Sequence, residues 1–436
     1  MSAGDDMKTG RGKRIRGLSV VLFVAAAGAL TYPATAGATY LLVPMDDAQA
    51  DHLRAYGICY EALLRGARAE WLLNYRGGSF LLADFEGLAE LCLERGVTAE
   101  YVADPGPIYA VIEANNMEAV PLTKAPRVAL YAPANEEMWD DAVMLALDYA
   151  QIPYDVIWND VVLTGGLYQY DWLHLHHEDF TGQFGKFYAS FGGTPWYDAM
   201  EAQYRAEAAA AGYPSVAAYM AAAAEAIEGY VAGGGFLFAM CAAADTLDIA
   251  LAARDVDIVA EVFDDTPVEP RANERLDYER TLAFTDFEVF PNPYLYEYSD
   301  IDTPRSISPA TDPSNPGSFT LFEFSAKADT VPTILTQNHR SRITEFMGQT
   351  TAFTRKTVKK SVVVLATVDG YEEAKYVYGN HGEGFFSFLG GHDPEDFQHF
   401  IGELPTDLRF YKNSPGYRLI LNNILFPAAR REELKT

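Results

Sequence analysis

Residues 233–245 read Gly-Gly-Gly-Phe-Leu-Phe-Ala-Met-Cys-Ala-Ala-Ala-Asp, an apolar strand pattern that runs through one cysteine into an alanine-rich helix pattern. A chain that changes from strand to helix without a loop belongs to an α/β layer structure, and the residue at the junction is held in a tight, exposed turn. Such a turn leaves no room for bulk two positions either side, where Ala239 and Ala243 stand. A thiol in the first turn of a helix also feels the positive end of the helix dipole, which favours the thiolate. Cys241 is therefore the leading candidate nucleophile. The competing reading is that an unbranched cysteine simply fills a buried position.

A second strand pattern, 384–389, delivers Gly390-Gly391-His392-Asp393-Pro394-Glu395 at its C-terminal end, where open α/β sheets place their sites. A Cys and a His at neighbouring strand ends make a nucleophile and a base, with Asp393 or Glu395 to orient the imidazole. The catalytic set read from the sequence is thus Cys241, His392, Asp393 and Glu395.

The remaining patterns organise the chain around this pair. Lys8, Arg11, Lys13, Arg14 and Arg16 precede an apolar run at 18–30 and Ala-x-Ala at 34–38, so residues 1–38 read as a signal peptide. The expected mature protein is secreted or periplasmic, with no stable membrane insertion once the leader is cleaved. Cleavage removes five basic and two acidic residues and moves the net charge from −28 to −31. So acidic a surface repels nucleic acid and anionic membranes, and its plain meaning is solubility or adaptation to salt; the ligand expected is a small molecule or a carbohydrate. The chain has three cysteines. Cys59 and Cys92 lie on apolar helix faces, as a disulfide pair or as two buried thiols.

Residues 39–124 read as a small α/β unit: strands at 39–44, 69–74 and 79–84, and helices at 52–66, 85–95 and 107–116. From 125 to 430 a larger α/β domain follows, its parallel strands at 127–131, 154–158, 171–177 and 233–240 joined by helices at 136–150 and 196–231. Proline-rich residues 264–332 form an elaborated insertion able to act as a lid, with Phe290, Tyr294, Tyr296 and Tyr298 able to stack on a sugar. Strands are expected again at 333–336, 361–367 and 374–378, and a last helix at 417–425.

Residues 171–179 are the densest group of potential ligands. On a strand His174 and His176 share a face and Glu178 continues the row, a weak pattern for a divalent metal such as zinc. The alternative is a pair of half-buried, hydrogen-bonded histidines, and no cofactor is otherwise expected. The loop after this strand is read as the substrate-binding side, through His177, Glu178, Gly182 and Gln183, with its backbone N–H groups as a candidate oxyanion hole. No Gly-x-Ser-x-Gly elbow, phosphate-binding loop or dinucleotide fingerprint is present.

With these residues in place, 125–429 resembles the class I glutamine-amidotransferase-like superfamily, and its C-terminal part is most similar to the trehalose-utilisation (ThuA-like) branch. The likeness rests on the strand into Ala239-Met240-Cys241-Ala242-Ala243, the strand into Gly391-His392-Asp393-Pro394-Glu395, and the closing Tyr417-Arg418-Leu419-Ile420-Leu421-Asn422-Asn423. It implies a flavodoxin-like parallel sheet with helices on both faces, Cys241 as nucleophile and His392 as base. The elbow carries Ala where amidotransferases carry Gly, and the acidic residue stands one or three places after His392 rather than two. Chains of this type are sometimes labelled asparagine synthetase B, a label the sequence does not support: it lacks both the N-terminal catalytic Cys and the ATP-pyrophosphatase loop. The function expected is a Cys-His hydrolase or amidase acting on a small or carbohydrate-linked substrate. The alternatives are a non-catalytic carbohydrate-binding or accessory protein on the same fold and a metal-dependent hydrolase.

Overall fold

The computed structural model describes residues 40–133, 141–302, 318–344, 350–395 and 404–429; the expected signal peptide lies outside them. The described residues belong to one compact unit. Two sheets organise it, joined by a layer of helices.

The first sheet contains β1 (Tyr40–Val43), β2 (Ala69–Leu73), β3 (Ser79–Ala83), β4 (Glu100–Val102) and β5 (Glu118–Leu122), in the order β4-β1-β3-β2-β5. Every pairing in it is antiparallel. The sequence reading missed β4 and β5. β5 carries Pro121, which cannot donate to a ladder, and it is tolerated because β5 is an edge strand.

The second sheet is larger and mixed. Its strands are β6 (Val128–Tyr131), β7 (Asp155–Ile157), β8 (Trp172–Leu175), β9 (Phe236–Met240), β10 (Phe319–Leu321), β11 (Arg342–Ile343), β12 (Val363–Val368), β13 (Ala374–His381) and β14 (Gly384–Leu389). The order is β11-β10-β12-β13-β14-β9-β8-β6-β7. Strands β7, β6, β8, β9 and β14 run parallel, whereas β13, β12, β10 and β11 extend the sheet antiparallel. The expectation of a parallel sheet therefore holds for only part of it. The reason is local: β13 and β14 are joined by a two-residue turn with Gly382 at φ +57°, and so short a connection can only reverse the chain.

Alternate residues of the parallel strands enter two cores, because successive side chains of a strand point to opposite faces. Leu130, Trp172, Phe238 and Met240 pack with helices Ala142–Ala150 and Pro415–Leu425, which also meet helix His52–Leu64 beneath the first sheet. Tyr131, Leu173, Leu237 and Ala239 pack on the other face with helix Val216–Ala232 and the helix that begins at Cys241. Helices thus cover both faces. The break at Gly212-Tyr213-Pro214 falls as expected between helices Pro195–Ala210 and Val216–Ala232, capped at their starts by Thr194 and Ser215. Residues 333–335 of the strand expected at 333–336 belong instead to helix Thr330–Leu335, with Thr336 as its C-cap; Pro332 sits in the first turn and loses no helical hydrogen bond. No helix among the described residues is long and apolar enough to cross a membrane.

Candidate active site

Strand β9 ends at Met240 in extended geometry, and Cys241 follows at φ +49°, in the left-handed region that L-residues rarely occupy. Helix Cys241–Ala252 starts at once, so the sulfur lies at a helix N-terminus. Backbone strain at the cysteine is how an elbow presents its central side chain. Beside β9 in parallel register runs β14, pairing Leu389 with Met240. That register carries the next turn, Gly390-Gly391-His392, to the level of Cys241.

The two turns are tied together by Thr350 and Thr351. The Thr350 N–H donates to Cys241 Sγ at 3.4 Å, its hydroxyl donates to Asp245 Oδ1 at 3.2 Å, and its carbonyl accepts from Gly391 N–H at 2.7 Å. A Cβ on Gly390 would lie 2.4 Å from the Thr351 carbonyl oxygen, so only glycine allows this approach. The His392 imidazole hydrogen-bonds the Cys241 thiol, and its Nδ1 lies 2.7 Å from Asp393 Oδ2. That contact is a close ion pair without the alignment of a hydrogen bond. Burial alone would depress the imidazole, but the Asp393 carboxylate and the Cys241 sulfur together hold it well above the ordinary histidine range. Of the two acids expected to orient it, Asp393 is the one at Nδ1. Glu395 stands two residues on at φ +69°.

Cys241 itself is fully buried. Around it lie groups that sequence reasoning missed. Asp245, one helical turn on, is pushed by burial up to about 8, and one of its oxygens has no hydrogen-bond partner. Burial, with Asp245 and Cys241 nearby, raises Asp302 well above the usual carboxylate range. Lys375, on β13, donates to the Thr351 carbonyl at 2.7 Å, and burial brings it down to about 7 against the pull of Cys241 and Asp302. Only Asp245 left a signal in the sequence, its i+4 spacing from Cys241 on one helix.

The loop expected to bind substrate is built differently. The N–H groups of Thr181, Gln183 and Gly185 all donate to the Asp179 carboxylate, at 2.7, 2.8 and 3.0 Å, so these three donors of the expected oxyanion hole are taken up by the loop's own aspartate. Gly182 is buried at φ +79° against Ala217, and the Gln183 side chain donates to Thr181 Oγ1 at 3.0 Å. Glu178 turns back to accept from the His176 N–H at 2.8 Å, while its carbonyl accepts from Thr246. His177 is exposed, with its ring 6.1 Å from that of His392, and is the exposed member of the expected binding set. Lys186, buried, donates to the carbonyls of Phe290 and Asn292 and fastens this loop to the insertion. From the insertion's aromatic set, Tyr298 is buried and Tyr294 exposed.

His174 and His176 share one face, as expected, with rings 5.6 Å apart. The third corner is Asp141, not Glu178: Asp141, His174 and His176 are all buried and bring one ligand atom each within 4.8 Å of the others. Burial pushes His174 down to about 3 and His176 lower than the ordinary range as well. The His176 ring stands 4.8 Å from that of His392, so this cluster adjoins the Cys-His pair. Cys59 and Cys92 are separate buried thiols. A groove of about 980 Å³ opens at the opposite end of the sheet, lined by Gly233, Gly234 and Phe236 where β9 begins, the length of a strand away from Cys241.

No protein-family model matches the chain, and no curated protein does. Among solved structures, it is similar to the cytoplasmic protein STM3548 from Salmonella typhimurium, at 11% identity and a TM-score of 0.35 over 70% of this chain and 100% of that one. The cytoplasmic protein STM1381 from Salmonella typhimurium LT2 gives 12%, 0.35, 70% and 100%. A beta-galactosidase from Bacillus circulans sp. alkalophilus gives 12% and 0.26 over 67% of this chain and 32% of that one. At these scores the similarities do not define a shared fold.

Proposed function

We propose that this chain is an exported Cys-His hydrolase or amidase with a flavodoxin-like, glutamine-amidotransferase-like core of the ThuA-like branch, acting on a small or carbohydrate-linked substrate. One observation carries the reading: Cys241 sits at a left-handed φ between strand and helix, and its sulfur is hydrogen-bonded by a histidine paired with Asp393. In the chemistry this supports, the Cys241 thiolate attacks a carbonyl carbon and forms a C–S bond. The carbonyl carbon's bond to the leaving nitrogen or oxygen then breaks, and His392 passes its proton to the departing amine or alcohol, which leaves a thioester on Cys241. Water, deprotonated by His392, then attacks the thioester and releases the acid and the thiolate. The acidic surface and the leader-like residues 1–38 support export and argue against nucleic-acid partners.

The complete burial of Cys241 supports a second reading, a non-catalytic carbohydrate-binding or accessory protein in which the thiol is inert. Iodoacetamide labelling at pH 7, read by mass spectrometry, separates the two. The first requires alkylation at Cys241 that slows at least about tenfold in His392→Ala, since the base is what maintains the thiolate. Alkylation at Cys59 and Cys92 serves as the buried reference. A folded protein whose Cys241 reacts no faster than these two would sink the hydrolase reading in favour of the second.

A further inference from the structure

We propose that Asp141, His174 and His176 form a binding site for a single divalent transition metal, zinc by its donor set, at the C-terminal edge of the second sheet beside His392. The site is distinct from the Cys-His pair and stands whether or not that pair is catalytic.

The geometry begins with the tautomer of His174. Its Nδ1 lies 3.0 Å from the Phe238 carbonyl oxygen, which can only accept, so Nδ1 carries the proton and Nε2 presents a lone pair. A carbonyl behind one ring nitrogen is the support that metal-binding histidines commonly have. The Nε2 lone pair faces His176 Nδ1 at 3.4 Å and Asp141 Oδ1 at 4.0 Å, and His176 Nδ1 lies 3.7 Å from the same oxygen. The two separations from Asp141 are too long for hydrogen bonds, and 3.4 Å is long for one between ring nitrogens. They suit the edges of a coordination shell instead: a point roughly 2.1–2.2 Å from all three corners exists, which matches zinc–nitrogen and zinc–oxygen bonds.

The surroundings hold the three atoms there. Asp141 caps helix Ala142–Ala150, accepting from Val143 and Met144 N–H at 2.7 and 2.9 Å. His176 is held through its backbone N–H by the Glu178 carboxylate, which explains why the sequence placed that glutamate near the cluster although it is not a corner of it. All three side chains are at least 95% buried on the scale of the whole residue. Two imidazole nitrogens and one carboxylate favour zinc and its neighbours over calcium or magnesium, which prefer oxygen alone. At these separations the equidistant point lies in the plane of the three donors, so a tetrahedral ion with its fourth position open draws the corners in by a few tenths of an ångström.

The test uses the full chain, stripped with chelator and titrated with Co2+ and then Zn2+. The expected result is one equivalent of Co2+ with visible d–d absorption, displaced by Zn2+, and one zinc per chain by elemental analysis after gel filtration. Asp141→Ser, which keeps the helix cap, and His174→Gln should each weaken binding at least about 100-fold. Cys241→Ala and Glu178→Gln should retain stoichiometric metal. The absence of stoichiometric Co2+ or Zn2+ in the wild type overturns the proposal, as does metal that persists in both Asp141→Ser and His174→Gln. Loss of metal in Cys241→Ala or Glu178→Gln with retention in Asp141→Ser overturns this ligand set. Because metal content is read directly, neither result depends on whether Cys241 is reactive.

Discussion

Asp245 shows how burial beside the Cys241 thiol becomes measurable as stability. Its carboxyl is pushed from 3.8 up to about 8, chiefly by burial, against hydrogen bonds led by that from Thr350. A raised folded-state value means that the folded protein holds the proton where the unfolded chain has lost it. Its contribution to stability is therefore complete below pH 3.8 and declines as pH rises towards 8. Asp245→Asn keeps the shape and removes the titration, so it should gain on the wild type across that interval, by at most about 1.4 kcal/mol per pH unit. Urea unfolding of both proteins at steps from pH 5 to pH 8 checks this. A difference that stays constant with pH would show that Asp245 ionises as an ordinary aspartate. Lys375, lowered to about 7, runs the other way in both proteins and cancels in the comparison.

At the level of the element, the strand-to-helix turn is the strained part of the fold. Cys241 occupies φ +49°, where an L side chain costs about 1–2 kcal/mol and glycine almost nothing. Cys241→Gly should accordingly be more stable than Cys241→Ala by about 1 kcal/mol, the reverse of the usual order in a helix. Denaturant midpoints of the two variants decide it, and an alanine variant that is the more stable would mean the turn relaxes once the thiol is gone. This element was legible in advance because its requirements are local: apolar strand residues, small flanks and a helix-forming run. The build of the loop after β8 was not legible, because it depends on Asp179 folding back to accept from the N–H groups of Thr181, Gln183 and Gly185.

On the scale of the whole molecule, the two sheets are stitched through the closing helix. Arg418 is fully buried and donates to Met45 O at 2.9 Å, to Tyr56 Oη at 3.1 Å and to the Gly77 carbonyl, all beneath the first sheet. Asn422 accepts from Tyr56 and donates to the Gln337 carbonyl, and Asn423 accepts from Ser387 on β14 while donating to Tyr376 on β13. Less than two turns of helix thus pin both sheets. Arg418→Leu leaves buried acceptors without donors and should cost about 3 kcal/mol, seen as a lower urea midpoint for the whole unit. A midpoint within experimental error of the wild type would mean that the carbonyls find water instead. The motif at 417–423, met in the sequence only as part of a resemblance, has this physical content.

The sequence by itself determined most of the local elements and two junctions in particular: the strand-cysteine-helix turn at Cys241 and the strand ending in Gly-Gly-His. Periodicity, glycine and small flanking residues act over a few positions, so they are readable without a fold. Tertiary structure alone decided which distant groups share a site. Asp141 replaced Glu178 beside His174 and His176, and Asp302 and Lys375 came to Cys241 from remote segments. The antiparallel extension of the second sheet was also decided at that level, through the short turn between β13 and β14. Strand order and register are long-range pairings, and the charges they bring together are separated by tens to hundreds of residues that carry no local trace of the encounter.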